Sequence, residues 1–238
     1  MPKDKAQIIG VHALEEALDT GRPISKVFLQ KGGGEARRNL AERLMQAGVP
    51  VSRVPAEKLN RLTQKSHQGV VAWASPVEFL KLEDLLPSIY EKGETPLLAV
   101  VDGITDVRNF GAILRSAESL GVHGMLTGVA NAAPVTEDVT KTSAGALLHL
   151  PICRTNDFIG ALSYAQQCGI QLVGVSEHAA HPLHEMPLHE PAALVFGAED
   201  EGISSETKAQ LDYQAYIPMS GQVGSLNVSV AAGIAFYE

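Results

Sequence analysis

Apolar and polar positions along this 238-residue chain change period several times. Over 8–20 (IIGVHALEEALDT) apolar residues recur at helical spacing through Val11, Leu14, Ala17 and Leu18, and Gly21 reads as the stop. The spacing then predicts a strand at ISKVFLQ (24–30), a flexible turn at Gly32, Gly33 and Gly34, and an amphipathic helix over 35–47 closed by Gly48. A strand at VPVSRV (49–54), a helix near 55–63 and a strand at GVVAWA (69–74) follow. Helices and strands alternate, which predicts a small α/β sandwich over 1–75. Residues 76–96 hold Pro76, Pro87, Gly93 and Pro96 among several acids and read as a linker with one short helix, 82–91.

From residue 97 the pattern restarts. LLAVVDG (97–103) is a continuous apolar run of the kind found in buried parallel strands. A helix over 110–120, a strand at GMLT (124–127), helices near 136–146 and 156–168, and strands at QLVGV (171–175) and ALVFG (193–197) come next. A helix from Ser204 and a strand at QAYIP (214–218) complete a mostly parallel sheet with helices on both faces. The stretch SGQVGSLNVSVAAGIAFYE alternates like a strand at Ser225, Asn227 and Ser229. Gly221, Gly224 and the small residues that follow read instead as a loop turning into a tightly packed helix near Val228, capped by Asn227 or Ser229.

Charge divides the chain as the pattern does. Residues 1–75 hold twelve Lys and Arg against seven Asp and Glu, a net of +5; residues 76–238 hold seven against twenty, a net of −13; together they give the overall −8. A basic small part beside an acidic larger one fits a polyanion held by the first, although solvated helix faces explain the basic residues equally well. No apolar run approaches the roughly 20 residues that span a bilayer, and the first residues lack the apolar core of a signal peptide. Cys153 and Cys168 form no CxxC pair and indicate neither a disulfide framework nor a zinc site. His178, His181, His184 and His189 are irregularly spaced around Pro182 and Pro187, as in a surface loop rather than a metal site. A cytoplasmic protein without membrane or metal partners is expected.

Ligands of parallel α/β sheets sit beyond the carboxyl ends of the strands, and three polar clusters lie there. DGITDVRNFGAILR holds Asn109, a candidate cap for the helix from Phe110, and Arg115 six residues later. FGAEDEGIS places Glu199 just past a buried strand, among glycines that admit close approach to the backbone. IPMSGQVGSLNVS carries Ser225 and Asn227. Neither GxGxxG nor GxxxxGK[ST] occurs, which counts against an ordinary nucleotide-binding enzyme. His67 and Gln68 could meet RNA or serve as caps, and Trp73 reads as core rather than a stacking platform.

Taken in order, NFGAILRSA (109–117), VFGAExxG (195–202) and IPMxGxxxSLNVSVA (217–231) resemble the three motifs of the SpoU family of RNA ribose 2′-O-methyltransferases, within the SPOUT superfamily. IIGVHALEEAL (8–18) and SHQGVVA (66–72) are similar to the small substrate-binding domain of the bacterial 23S rRNA guanosine branch. The resemblance implies a deep trefoil knot in 97–238, a final helix running somewhat beyond Glu238, and a homodimer packed through the knotted domains. It implies S-adenosylmethionine as cofactor, held largely by the main chain of Gly197, Ile217 and Leu226, and RNA as partner. It implies Asn109, Arg115, Glu199, Ser225 and Asn227 as catalytic residues, with Glu199 holding Arg115 or Asn109. An arginine stays protonated, so Arg115 is expected to clamp a phosphate and orient the hydroxyl rather than act as base. A tRNA methyltransferase would share all these residues. A non-catalytic RNA-binding protein of this fold would be expected to have lost Asn109, Arg115, Glu199 and Asn227.

Overall fold

The computed structural model describes residues 7–238, which divide into two compact units. The first comprises the described residues to Glu78 together with Pro134–Asp138. Its elements are β1 (Gln7–Ile9), α1 (Val11–Asp19), β2 (Ile24–Gln30), α2 (Glu35–Gln46), β3 (Val51–Val54), α3 (Ala56–Leu62) and β4 (Val70–Ala74). The strands form one sheet in the order β1-β4-β2-β3, with β2 parallel to β3 and antiparallel to β4. Strand alternation splits the core in two. Val27, Leu29, Val70 and Ala72 pack with Leu14 of α1 and Leu40 and Leu44 of α2. Phe28, Val54, Val71 and Trp73 pack with Leu59 of α3.

The expected helix over 8–20 is shorter than its apolar spacing indicates. Gln7–Ile9 is a strand paired antiparallel with β4, and Gly10 at φ +93° turns the chain into α1. Two adjacent β-branched residues favour extended backbone, and only glycine adopts that φ without strain.

The second unit contains α4 (Leu82–Glu91), β5 (Leu97–Asp102), α5 (Val107–Ser119), β6 (Gly124–Gly128), α6 (Glu137–Thr142, its first two residues counted with the first unit), β7 (Ile152–Thr155), α7 (Phe158–Gln167) and β8 (Gln171–Val175). It continues with β9 (His181–Pro182), β10 (Ala192–Gly197), α8 (Ser205–Lys208), β11 (Tyr213–Tyr216) and α9 (Val228–Tyr237). Its sheet, ordered β7-β6-β5-β10-β8-β11-β9, is parallel throughout. Every residue of β10 is buried, as the unbroken apolar run requires. β7 was not expected, because Ile-Cys-Arg-Thr has neither a long apolar run nor a clean alternation.

The helix expected at 82–91 is α4, and it is more than a tether. Leu82, Leu85, Leu86 and Ile89 are buried in one cluster with Leu98, Val100, Leu126 and Leu162. α4 lies so close to β6 that a Cβ on Gly124 would sit 2.5 Å from Leu85 Cδ2. Among the described residues no helix is long and apolar enough to cross a membrane.

Candidate active site

Two helix starts and one strand end converge in the second unit. α5 begins at Val107 because Asp106, rather than Asn109, is its cap: Asp106 Oδ1 accepts from the Arg108 and Asn109 N–H groups, each at 2.9 Å. Asn109 therefore sits in the first turn with its side chain free for other work. Asp is as good a cap as Asn, and Asp106 stands one residue before the helix, so this signal was readable.

α9 begins at Val228 under the cap Asn227, whose Oδ1 accepts from Ser229 N–H at 3.0 Å and Ser229 Oγ at 2.6 Å. Its Nδ2 donates to Asn109 Oδ1 at 3.0 Å and to Glu199 Oε1 at 2.5 Å. All the hydrogen-bonding groups of this one amide are thus engaged, and the carboxylate fixes which end is nitrogen. Ser229 acts here as a support for Asn227.

Glu199 is presented by the end of β10. The turn Ala198–Gly202 closes on itself through Gly202 N–H to Ala198 O at 2.8 Å and Ala198 N–H to Gly202 O at 3.2 Å. A Cβ on Gly197 would collide with the backbone of Gly202 and Ile203. Ser204 N–H donates to Asp102 Oδ2 at 2.8 Å and ties the turn to β5.

A cavity of about 360 Å³ lies against this constellation, lined by Gly197, Ala198, Glu199, Ser225, Leu226 and Asn227 among others. That volume falls within the range of roughly 300–1,000 Å³ usual for small-molecule sites. Ile217 and Leu226 line a smaller pocket of about 50 Å³ beside Val175, Ser176 and Glu177, three residues that also border the larger cavity. A further cavity of about 550 Å³ opens across the same turn and is lined by Asp102 and Thr105 of the first polar cluster and by Asn131 and Asn156, which no sequence motif indicated, among others.

Asn109, Glu199 and Asn227 are brought into one hydrogen-bonded group, with Ser225, Gly197 and Leu226 on the cavity that Glu199 and Asn227 border. Arg115 is not. It is exposed on α5, about 9 Å further along the axis than Asn109 and about 120° around it. Among the described residues Glu199 holds Asn227, not Arg115. Neither cysteine borders the cavity. Burial, aided by Glu83 and Asp84, pushes the Cys153 thiol up to about 12, which leaves it neutral and inert.

Comparison with known proteins identifies the family of the chain. The family model "SpoU rRNA Methylase family" matches residues 96–237, and "RNA 2'-O ribose methyltransferase substrate binding" matches residues 7–80. The chain is 33% identical over 240 residues to a putative TrmH family tRNA/rRNA methyltransferase, YacO, of Bacillus subtilis, covering 100% of this chain and 96% of that protein. It is 37% identical over 234 residues to the 23S rRNA (guanosine-2'-O-)-methyltransferase RlmB of Coxiella burnetii, covering 97% and 93%. A solved structure, the SpoU methyltransferase AviRb from Streptomyces viridochromogenes in complex with the cofactor AdoMet, is similar with a TM-score of 0.60 and 25% identity over 97% of this chain and 87% of that one. The family model alone spans more than half of the sequence: this chain belongs to the SpoU rRNA methylase family.

Proposed function

We propose that this protein transfers a methyl group from S-adenosylmethionine to a ribose 2′-hydroxyl of RNA, with a guanosine of 23S rRNA as the favoured target. The observation that carries the reading is the Asn109–Asn227–Glu199 group on the rim of a cavity of cofactor size. The cavity suits the cofactor. Its wall includes Gly197 and Ala198, where little side chain stands between a ligand and the backbone, and it has both polar and apolar surface. The 37% identity to a 23S rRNA enzyme favours rRNA over tRNA.

When bound, the cofactor supplies an electrophilic methyl on its sulfonium sulfur. The rest is position. Asn227, braced by Ser229, holds Glu199 and Asn109 at fixed places around the ribose, and Ser225 lines the site. Gly197, Ile217 and Leu226 hold the cofactor. Arg115 stands clear of the cavity and grips the phosphate beside the target nucleotide. It is always protonated, so the hydroxyl proton leaves to water.

A deep trefoil knot belongs to the same reading. It is supported by the small residues of α9, where Gly233 lies against Ser116 of α5 and Phe236 stacks edge-on to Phe196 of β10 at 5.4 Å. A homodimer through the second unit is supported by the outer face of α9, where Val230, Ile234 and Tyr237 are 50%, 40% and 82% exposed. The first unit delivers the RNA, and such a substrate sets the reaction in the cytoplasm.

The test is incubation with tritiated S-adenosylmethionine and separate protein-free rRNA and tRNA pools, followed by nuclease digestion. Label on the 2′-oxygen of a guanosine in rRNA is expected. Label confined to tRNA would move the target, and no label in either pool would overturn the reading.

A further inference from the structure

Charge in the first unit is segregated by element. Helices α1 and α2 carry three basic residues, Arg37, Arg38 and Arg43, against five acids, Glu15, Glu16, Asp19, Glu35 and Glu42. On the other side, residues 51–65, which contain α3, carry Arg53, Lys58, Arg61 and Lys65 against Glu57 alone. Residues 51–65 thus contribute +3 to the net +5 of residues 1–75, whereas α1 and α2 together contribute −2.

At the centre of that side two lysines share one ring. Lys26 Nζ lies 5.3 Å and Lys58 Nζ 5.2 Å from the centroid of Phe28. Lys26 lies two residues before Phe28 on β2 and so shares its face, whereas Lys58 comes from α3 and meets the ring from a different element. Trp73 holds the ring edge-on, with centroids 5.5 Å apart and planes at 81°. Among the described residues no ion pair with a carboxylate engages either lysine.

Two ammonium groups converging on one ring repel each other, and a phenyl face returns only about 0.5–1 kcal/mol to each at an exposed site. Burial and the neighbouring Lys58 both push the Lys26 amine below its ordinary value. The arrangement is thus short of one negative charge. A phosphodiester supplies it, with two non-bridging oxygens that can accept from both ammonium groups at once.

We propose that the α3 side of the first unit, centred on Lys26 and Lys58 over Phe28, seats a backbone phosphate of the RNA substrate. The inference rests on the RNA-methylating function proposed above and adds where the RNA is gripped. Arg61 follows Lys58 by three residues on α3 and extends the positive surface along the helix. The half-buried Trp73 and Phe28 fix the spacing of the two cations instead of stacking on a base.

The experiment is a salt titration of binding to protein-free rRNA by the full chain, comparing wild type with Lys26→Gln/Lys58→Gln and with Arg38→Gln/Arg43→Gln on α2. The lysine pair should weaken affinity about tenfold and reduce the slope of log K against log salt by about 1, for the single phosphate that the two cations neutralise together. The α2 pair, which removes the same charge, should change the slope far less. Lys58→Gln alone, at an exposed position, should weaken binding in the same direction and reduce the slope by no more than about 1, and it covers the case in which the double variant folds poorly. Equal slopes in wild type and the lysine variants, or an equal loss in the α2 pair, would overturn this surface while leaving RNA as substrate. Binding of polyglutamate that depends on the lysine pair when RNA binding does not would assign the face to an acidic protein. Failure of the wild-type chain to bind rRNA at all would instead remove the functional reading, and this surface with it.

Discussion

Residues 1–75 set twelve basic against seven acidic side chains around a four-stranded mixed sheet, while residues 76–238 set seven against twenty around a seven-stranded parallel one. The contrast extends to how each unit uses polar groups. In the second, the candidate catalytic group is two amides and a carboxylate in mutual hydrogen bonds, a rigid arrangement that brings no positive charge of its own. In the first, two ammonium groups are held together without a counter-charge among the described residues. An acidic surface repels a polyanion, so in the proposed function affinity and chemistry cannot come from one place. On that proposal the basic unit holds the RNA, and the acidic unit orients a single nucleotide.

The largest expected effect concerns where the second unit begins. If α4 is part of it, a fragment of residues 79–238 should fold and bind S-adenosylmethionine, whereas 97–238 should not fold. Removing α4 strips four buried aliphatic side chains, each contributing roughly 1.5–3 kcal/mol. The sum, roughly 6–12 kcal/mol, rivals the whole stability of a typical domain. Circular dichroism melts of the two fragments decide it. A cooperative melt of 97–238 close to that of 79–238 would reduce α4 to a linker.

Smaller in free energy, but large in rate, are two substitutions within the second unit. Arg115→Ala removes one of its few cations at an exposed position away from the cavity. It should cut methyl transfer at least about 100-fold, the scale for a substrate no longer held in position, with the melting temperature unchanged. Asn227→Ala should cut the rate by a comparable factor and also cost about 1 kcal/mol of stability, because the same amide caps α9. Tritium incorporation and thermal melts separate the two. Near wild-type methylation by Arg115→Ala would remove that residue from the reaction, and an unchanged melt for Asn227→Ala would mean that its cap carries no weight.

Much of the fold was readable because long periodic segments carry their own signal: β2, α2, β5 and β10 all fall where apolar spacing placed them. The failures have local causes. Ile8 and Ile9 satisfy both a helical and an extended pattern, and the conformation of Gly10 decides between them. At 225–229 the strand-like alternation did not mislead: the glycines and small residues pointed to a loop and a helix from Val228, and the polar residues there serve a cap and a cavity wall. The site itself was legible only as an order of motifs. Asn109, Glu199 and Asn227 are far apart in sequence, and no period links them; the parallel sheet and the packing of α9 bring them together. The separation of Arg115 from Asn109 was readable, since six residues at 100° each turn the helix away. The pairing of Lys26 with Lys58 was not, because it joins a strand to a helix across one ring.

The smallest expected effect tests whether charge in the first unit serves the fold. Arg43 and Asp19 form its closest ion pair among the described residues, with Nη2 2.5 Å from Oδ1, and their side chains are 44% and 65% exposed. The pair joins α1 to α2, the helices on which acids outnumber bases. Exposed pairs gain little Coulomb energy in water and hold two flexible side chains in one geometry, so their net value is no more than about 1 kcal/mol. Arg43→Gln, Asp19→Asn and the double variant should therefore melt within a few degrees of wild type, and raising the salt concentration should shrink the difference further. RNA affinity should also hold, since this side of the sheet lies away from the lysine pair. A loss of several kcal/mol would mean that these charges stabilise the unit. A loss of RNA binding would shift the grip from α3 to α1 and α2, and with it the division between the two sides of the sheet.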